Sequence, residues 1–161
     1  MNIKRNILLN PGPATTTDTV KMAQVVPDIC PREKEFGQVM EYIVNSLTKI
    51  AKGDENYTTV LFAGSGTAGM DAIVNSVVPP NKTILVINNG AYGERIVKIA
   101  KAYSISVCEM QFEWDELPDL AAVEEQIEKE ADIACIAMIH HETTTGMLIP
   151  VKEVGEMAKK Y

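Results

Sequence analysis

In the stretch TVLFAGSGTAGMDAIV, residues 59–74, an apolar run breaks into Gly64, Ser65, Gly66 and Thr67 before small, helix-forming residues resume. The two glycines allow a sharp turn, and the two hydroxyls stand beside N–H groups that open the next helix without an intrahelical acceptor. Such a turn suits an anion. A phosphate there would meet several backbone donors and the positive end of the helix dipole, a charge effect worth roughly 0.3–1 kcal/mol when exposed. Taken alone, the stretch is equally well read as a glycine connection that binds nothing.

Two more stretches carry candidate groups. NNGAYGER sets Gly90 and Gly93 around Tyr92 at the end of an apolar strand. A flat aromatic there could lie beside a flat ligand or simply pack at a helix start. HHETTTG, residues 140–146, crowds three threonine hydroxyls and the Glu142 carboxyl into a loop after ACIAMI. That loop could hydrogen-bond a ring hydroxyl or a substrate, or be a Thr-rich turn in which Glu142 caps backbone groups. Adjacent side chains at a strand end point apart, so His140 and His141 are not expected to share a metal.

Gly64, Gly66 and Gly69 also satisfy G-x-G-x-x-G, but dinucleotide binding expects an acidic residue about 20 positions on, at the end of the next strand. That strand ends ILVINNG, with Asn88 and Asn89. A P-loop fails as well, for want of a lysine after its second glycine.

The elements that must position these groups follow an α/β rhythm. NPGPATTT is a loop by its prolines and glycine. Phe36, Val39, Met40, Ile43, Val44, Leu47, Ile50 and Ala51 recur at helical spacing, with Gly53 as the stop. Strand 58–62 is then expected to lead to helix 67–77, strand 83–87 to helix 92–102, strand 106–110 to helix 119–130, and strand 134–139 to helix 152–160. Such alternation implies a mainly parallel sheet with helices on both faces and ligands at the carboxyl ends of its strands. The last helix is of the kind that feeds another strand, so it either closes the sheet or belongs to a larger whole.

Composition narrows the function classes. With 161 residues, 46% hydrophobic and 23% charged, the chain can build one substantial globular core. Its 15 basic and 22 acidic residues leave a net charge of −7, which argues against nucleic acid and anionic membranes as partners. Cys30, Cys108 and Cys135 show no disulfide or zinc spacing and read as free thiols in a reducing compartment. No signal peptide and no apolar run of roughly 18 residues stands out, so a cytoplasmic location is expected.

Together, LLNPGPATT, GSGTAGMDA, NNGAYGER and HHETTTGML, in this order and at these spacings, resemble the class V aminotransferases of the fold type I pyridoxal-phosphate enzymes. The resemblance runs from Ile7 to Tyr161. It implies a three-layer α/β/α fold with a mostly parallel sheet, the N-terminal part of the large domain. On this view residues 1–53 form an N-terminal loop and helical arm, and residues 54–161 a partial cofactor-binding domain.

The resemblance also implies roles. Ser65, Gly66 and Thr67 match the loop that holds the phosphate of pyridoxal 5'-phosphate, Tyr92 the aromatic stacked on its ring, and Thr143 the hydroxyl near the ring oxygen. Pro11, Gly12 and Pro13 match the loop that approaches the substrate, and Arg32, Glu35 and Phe36 a segment near a homodimer interface. The implied reaction moves an amino group from a small-molecule amino donor to a keto-acid acceptor. Asn10 and His141 depart from the family pattern on the substrate side. The Asp that pairs with the pyridine nitrogen and the Lys bonded to the cofactor match nothing in this chain, and Lys98, Lys101 and Lys152 fall on helix faces. The stretch by itself is therefore expected to be inactive. A glyoxylate-using member of the family and a non-catalytic domain that binds a phosphorylated metabolite or complements a partner are the rivals.

Overall fold

The run Ile84-Leu85-Val86-Ile87 has no polar face, as expected of a parallel strand covered on both sides. It forms the middle of β1 (Thr83–Asn88), where these four residues are at most 1% exposed. The computed structural model describes residue 4 and residues 6–161. It divides into two compact units, one ending at Ala63 and the other comprising Gly64–Tyr161.

The second unit is built around β1. β2 (Ser106–Gln111) and β3 (Ile133–Ala137) flank it, both parallel to it, in the order β2-β1-β3. Strand alternation then sorts the core into two layers. Ile84 and Val86 pack with Val74 of α3 (Gly66–Val77) and with Ile96, Val97 and Ala100 of α4 (Ala91–Ala102). Leu85 and Ile87 pack on the opposite face with Val123 of α5 (Leu120–Lys129) and Val154 of α6 (Val151–Lys160). The expected α/β/α layering is present, with element ends within a residue or two of those read from the sequence.

The chain after β3 departs from a simple loop. β4 (His141–Glu142) and β5 (Met147–Leu148) form a small antiparallel hairpin. Gly146, at φ 82°, supplies the left-handed residue at its turn. Its N–H donates to the Glu142 carbonyl at 2.8 Å.

The first unit carries α1 (Asp18–Met22), a short helix that the sequence reading did not anticipate, capped by Thr17. The expected long helix is α2 (Lys34–Ile50), and none of its residues is buried. Its stop differs slightly from expectation: Lys52, at φ 58°, takes the left-handed position ahead of Gly53. NPGPATTT is irregular, with a cis Gly12–Pro13 peptide.

Strand 58–62 does not form. A strand exists only through hydrogen bonds to a neighbour, and these residues have no strand partner among the described residues. Val60 and Phe62 are accordingly 70% and 64% exposed.

Candidate functional site

The glycine turn opens α3 as its composition suggested. Ser65 is the N-cap, its hydroxyl accepting from the Ala68 N–H at 3.4 Å. Gly66 and Thr67 are the first two helical residues, so their N–H groups have no acceptor within the helix. All three residues are exposed, and the space beside Gly66 is open.

Tyr92 is the second residue of α4, at the carboxyl end of β1, and its side chain is partly buried. Arg95, one turn later on the same helix face, lays its guanidinium over the Tyr92 ring, 4.7 Å from the centroid. The same guanidinium donates to the Thr67 hydroxyl at 3.0 Å. Because Thr67 Oγ1 accepts this bond, its proton remains available to another acceptor.

The hairpin joins this cluster through Glu142. Its carboxyl group is fully buried, and Oε2 accepts the Tyr92 N–H at 3.1 Å. Oε1 accepts the Thr144 N–H at 3.3 Å and the Thr144 hydroxyl at 2.6 Å. Gly90, the N-cap of α4, has no side chain to satisfy the first turn, and the Glu142 side chain performs that capping from another element. Backbone extension at Gly90 would admit any residue; the space would not, since an added Cβ would lie 2.4 Å from Glu142 Cγ. Thr143, partly buried, stands between the two partners of this network on the hairpin.

Five residues predicted from the sequence thus lie on three segments that side-chain hydrogen bonds join: Ser65, Gly66 and Thr67 at the start of α3, Tyr92 on α4, and Thr143 on the hairpin. Pro11, Gly12 and Pro13 belong to the first unit, where they are exposed. Arg32 precedes α2, and Glu35 and Phe36 lie in its first turn. Sequence reasoning missed Arg95. Its three-residue spacing from Tyr92 was visible, but its bond to Thr67 spans 28 positions and leaves no local mark. His140 and His141 have no metal-holding group of three His, Cys, Asp or Glu around them among the described residues.

The donor set fits pyridoxal phosphate. Free helix N–H groups, two hydroxyls and a nearby guanidinium suit a phosphate. A partly buried phenol ring offers a flat apolar face, and Thr143 a hydroxyl. No helix among the described residues is long and apolar enough to cross a membrane.

Comparison with known proteins identifies the family and the fold. The family model described as "Aminotransferase class-V" matches residues 19–161. A 2-aminoethylphosphonate--pyruvate transaminase of Bacillus mycoides (strain KBAB4) is 41% identical over 100% of this chain and 44% of its own length. One of Bacillus cytotoxicus is 42% identical over 96% of this chain and 42% of its own. The chain therefore spans less than half the length of these curated relatives.

Among solved structures, an alanine--glyoxylate aminotransferase of Nostoc sp. superposes with a TM-score of 0.86 at 28% identity, covering 99% of this chain and 42% of that one. A pyridoxamine-pyruvate aminotransferase of Mesorhizobium loti gives 0.88 at 21% identity, over 98% and 40%, a likeness of fold. The fold is that of the fold type I aminotransferases, and pyridoxal phosphate is the cofactor implied. On its matched residues and its fold, the chain belongs to the class V aminotransferases.

Proposed function

We propose that this chain is the N-terminal part of a pyridoxal-phosphate-dependent aminotransferase that moves an amino group from 2-aminoethylphosphonate to pyruvate, giving phosphonoacetaldehyde and L-alanine. The observation that carries the cofactor half of this reading is the linkage of the three sequence-distant segments by the Arg95–Thr67 and Glu142–Tyr92 hydrogen bonds. The substrate half is supported by the Bacillus relatives, which are 2-aminoethylphosphonate--pyruvate transaminases 41% and 42% identical to this chain. Residues 54–161 are then a partial cofactor-binding domain, and residues 1–53 an arm whose Pro11, Gly12 and Pro13 approach the substrate. The working protein is a homodimer of the cytoplasm, a setting that suits the free Cys30, Cys108 and Cys135.

Each residue of the cluster has a separate task. When bound, pyridoxal phosphate supplies an electron-poor ring that stabilises negative charge on the carbon losing a proton. The N–H groups of Gly66 and Thr67 and the hydroxyls of Ser65 and Thr67 bind its phosphate, in bonds roughly twice as strong as neutral ones. Arg95 orients the Thr67 hydroxyl and adds positive charge behind it. Tyr92 covers one ring face and excludes water from it. Thr143 donates a proton in a hydrogen bond to the ring oxygen. The lysine that joins covalently to the cofactor belongs, on this reading, to the part of the relatives' length that this chain does not span.

Titration of the chain with pyridoxal phosphate tests the proposal. Near-ultraviolet absorbance reports binding, and borohydride treatment followed by intact mass reports covalent attachment. Saturable binding without a stoichiometric lysine adduct is expected, weakened by Arg95→Gln. A chain that binds no cofactor refutes it. The likeness to the Nostoc alanine--glyoxylate enzyme favours a second reading, with glyoxylate as acceptor. In the whole protein, faster turnover of alanine with glyoxylate than of 2-aminoethylphosphonate with pyruvate would select it.

A further inference from the structure

The Glu142 carboxyl group is fully buried, and all three of its partners donate to it: the Tyr92 N–H, the Thr144 N–H and the Thr144 hydroxyl. An ionised carboxylate takes partners of this kind. Burying a charge is costly unless such bonds satisfy it, so a leucine or methionine would serve mere packing better. The surrounding chain is shaped for this group. Gly90 has no Cβ, and one there would fall 2.4, 2.6 and 2.8 Å from Glu142 Cγ, Cδ and Oε2. Each oxygen serves a different element. Oε2 holds the first turn of α4 at the backbone of Tyr92, while Oε1 holds the hairpin turn that carries Thr143.

We propose that Glu142 is a positioning residue that ties the ring-stacking Tyr92 to the ring-oxygen hydroxyl of Thr143, so that both sides of the cofactor ring site move as one body. The inference rests on the cofactor reading above. Glu142 does not touch the phosphate loop: Ser65, Gly66 and Thr67 sit at the start of α3, connected to α4 through Arg95 instead. Loosening Glu142 should therefore disturb ring recognition and leave phosphate recognition in place.

Glu142→Gln is the first variant. A carboxamide keeps the volume but offers one oxygen, so either Tyr92 or the Thr144 N–H must face its NH2 group. The Kd of the full chain for pyridoxal phosphate should rise at least about threefold, with the energy of the lost hydrogen bond as the upper limit because that bond is made within the protein. The Kd for inorganic phosphate should stay within about twofold, since no phosphate donor has changed. Without any ligand, whichever of the Tyr92 and Thr144 amides faces that NH2 group should exchange at least about tenfold faster, while the Leu85 and Val123 amides keep their protection as core reporters.

Equal weakening of both ligands, or unchanged exchange at both the Tyr92 and the Thr144 amide, overturns the proposal. A wild-type chain that binds phosphate but not pyridoxal phosphate refutes the cofactor reading and the ring-positioning role with it. In that case the Tyr92 and Thr144 exchange data still decide whether Glu142 holds these two elements. Should Glu142→Gln lose core protection, Thr144→Val removes only the hydroxyl bond to Oε1. It should weaken pyridoxal phosphate about threefold with phosphate binding intact, and no change in either would overturn the inference.

Discussion

Replacing Gly90 with alanine tests the packing logic of the site without any ligand. The new Cβ would lie 2.4 Å from Glu142 Cγ and 2.6 Å from Cδ, distances that atoms cannot share. Glu142 is fully buried and held at both oxygens, so it has no free rotamer to retreat into. Overpacking costs about 1–3 kcal/mol, and losing a hydrogen bond to the carboxylate about 1.5–3 kcal/mol more. Gly→Ala would by itself stabilise by about 0.4–1 kcal/mol through the unfolded chain. The net expectation is a destabilisation of about 2–5 kcal/mol, or a fall in Tm of at least about 8 °C for a unit of this size.

Gly155→Ala is the matched control. Gly155 lies exposed within α6 with nothing near its absent Cβ, so alanine there should stabilise by about 0.5–1 kcal/mol. Urea unfolding followed by the fluorescence of Trp114, the single tryptophan, reads both changes in the second unit. Trimming the struck side chain should rescue: in a Glu142→Ala background, Gly90→Ala should cost less than about 1 kcal/mol. A Gly90→Ala chain within about 0.5 kcal/mol of wild type, at unchanged m, refutes the reasoning.

Other consequences follow from capping, burial and charge. Asp119 caps α5 by accepting from the Ala121 and Ala122 N–H groups, so Asp119→Ala should lower stability by about 1 kcal/mol in the same assay. Burial pushes the Cys108 and Cys135 thiols up, with the Glu130 charge adding to the effect at Cys108. A thiol reagent at mildly alkaline pH should therefore modify exposed Cys30 first, and fast labelling of all three thiols in the native chain would contradict this. The hydrogen bond and charge of Lys82 hold the exposed Asp132 carboxyl below its ordinary value of 3.8. A lowered carboxylate stabilises above its unfolded value and ceases to do so as pH falls through the folded one. Lys82→Met should thus lower stability modestly near neutral pH and leave it unchanged in strong acid; an equal loss at both extremes would rule the linkage out.

Much of the architecture was legible because it is set by local patterns. The unbroken apolar run of β1 marked a strand covered on both faces, and Gly-Ser-Gly-Thr marked an anion-ready helix start, each within a few residues. The stretches carrying Ser65–Thr67, Tyr92 and Thr143 were placed at helix starts and in a turn by the same local signals, while their roles toward a cofactor came from the family resemblance. Strand 58–62 failed because a strand depends on a neighbour's hydrogen bonds, which its own β-forming residues cannot supply. The Arg95–Thr67 bond and the Glu142–Tyr92 bond, 28 and 50 positions apart, were set by how α3, α4 and the hairpin pack around one parallel sheet. Glu142 shows the division most plainly. Its sequence neighbours suggested a turn-capping carboxylate, and the Thr144 bonds agree; that it is fully buried, caps α4 and excludes any side chain at Gly90 depends on distances that only the folded chain creates.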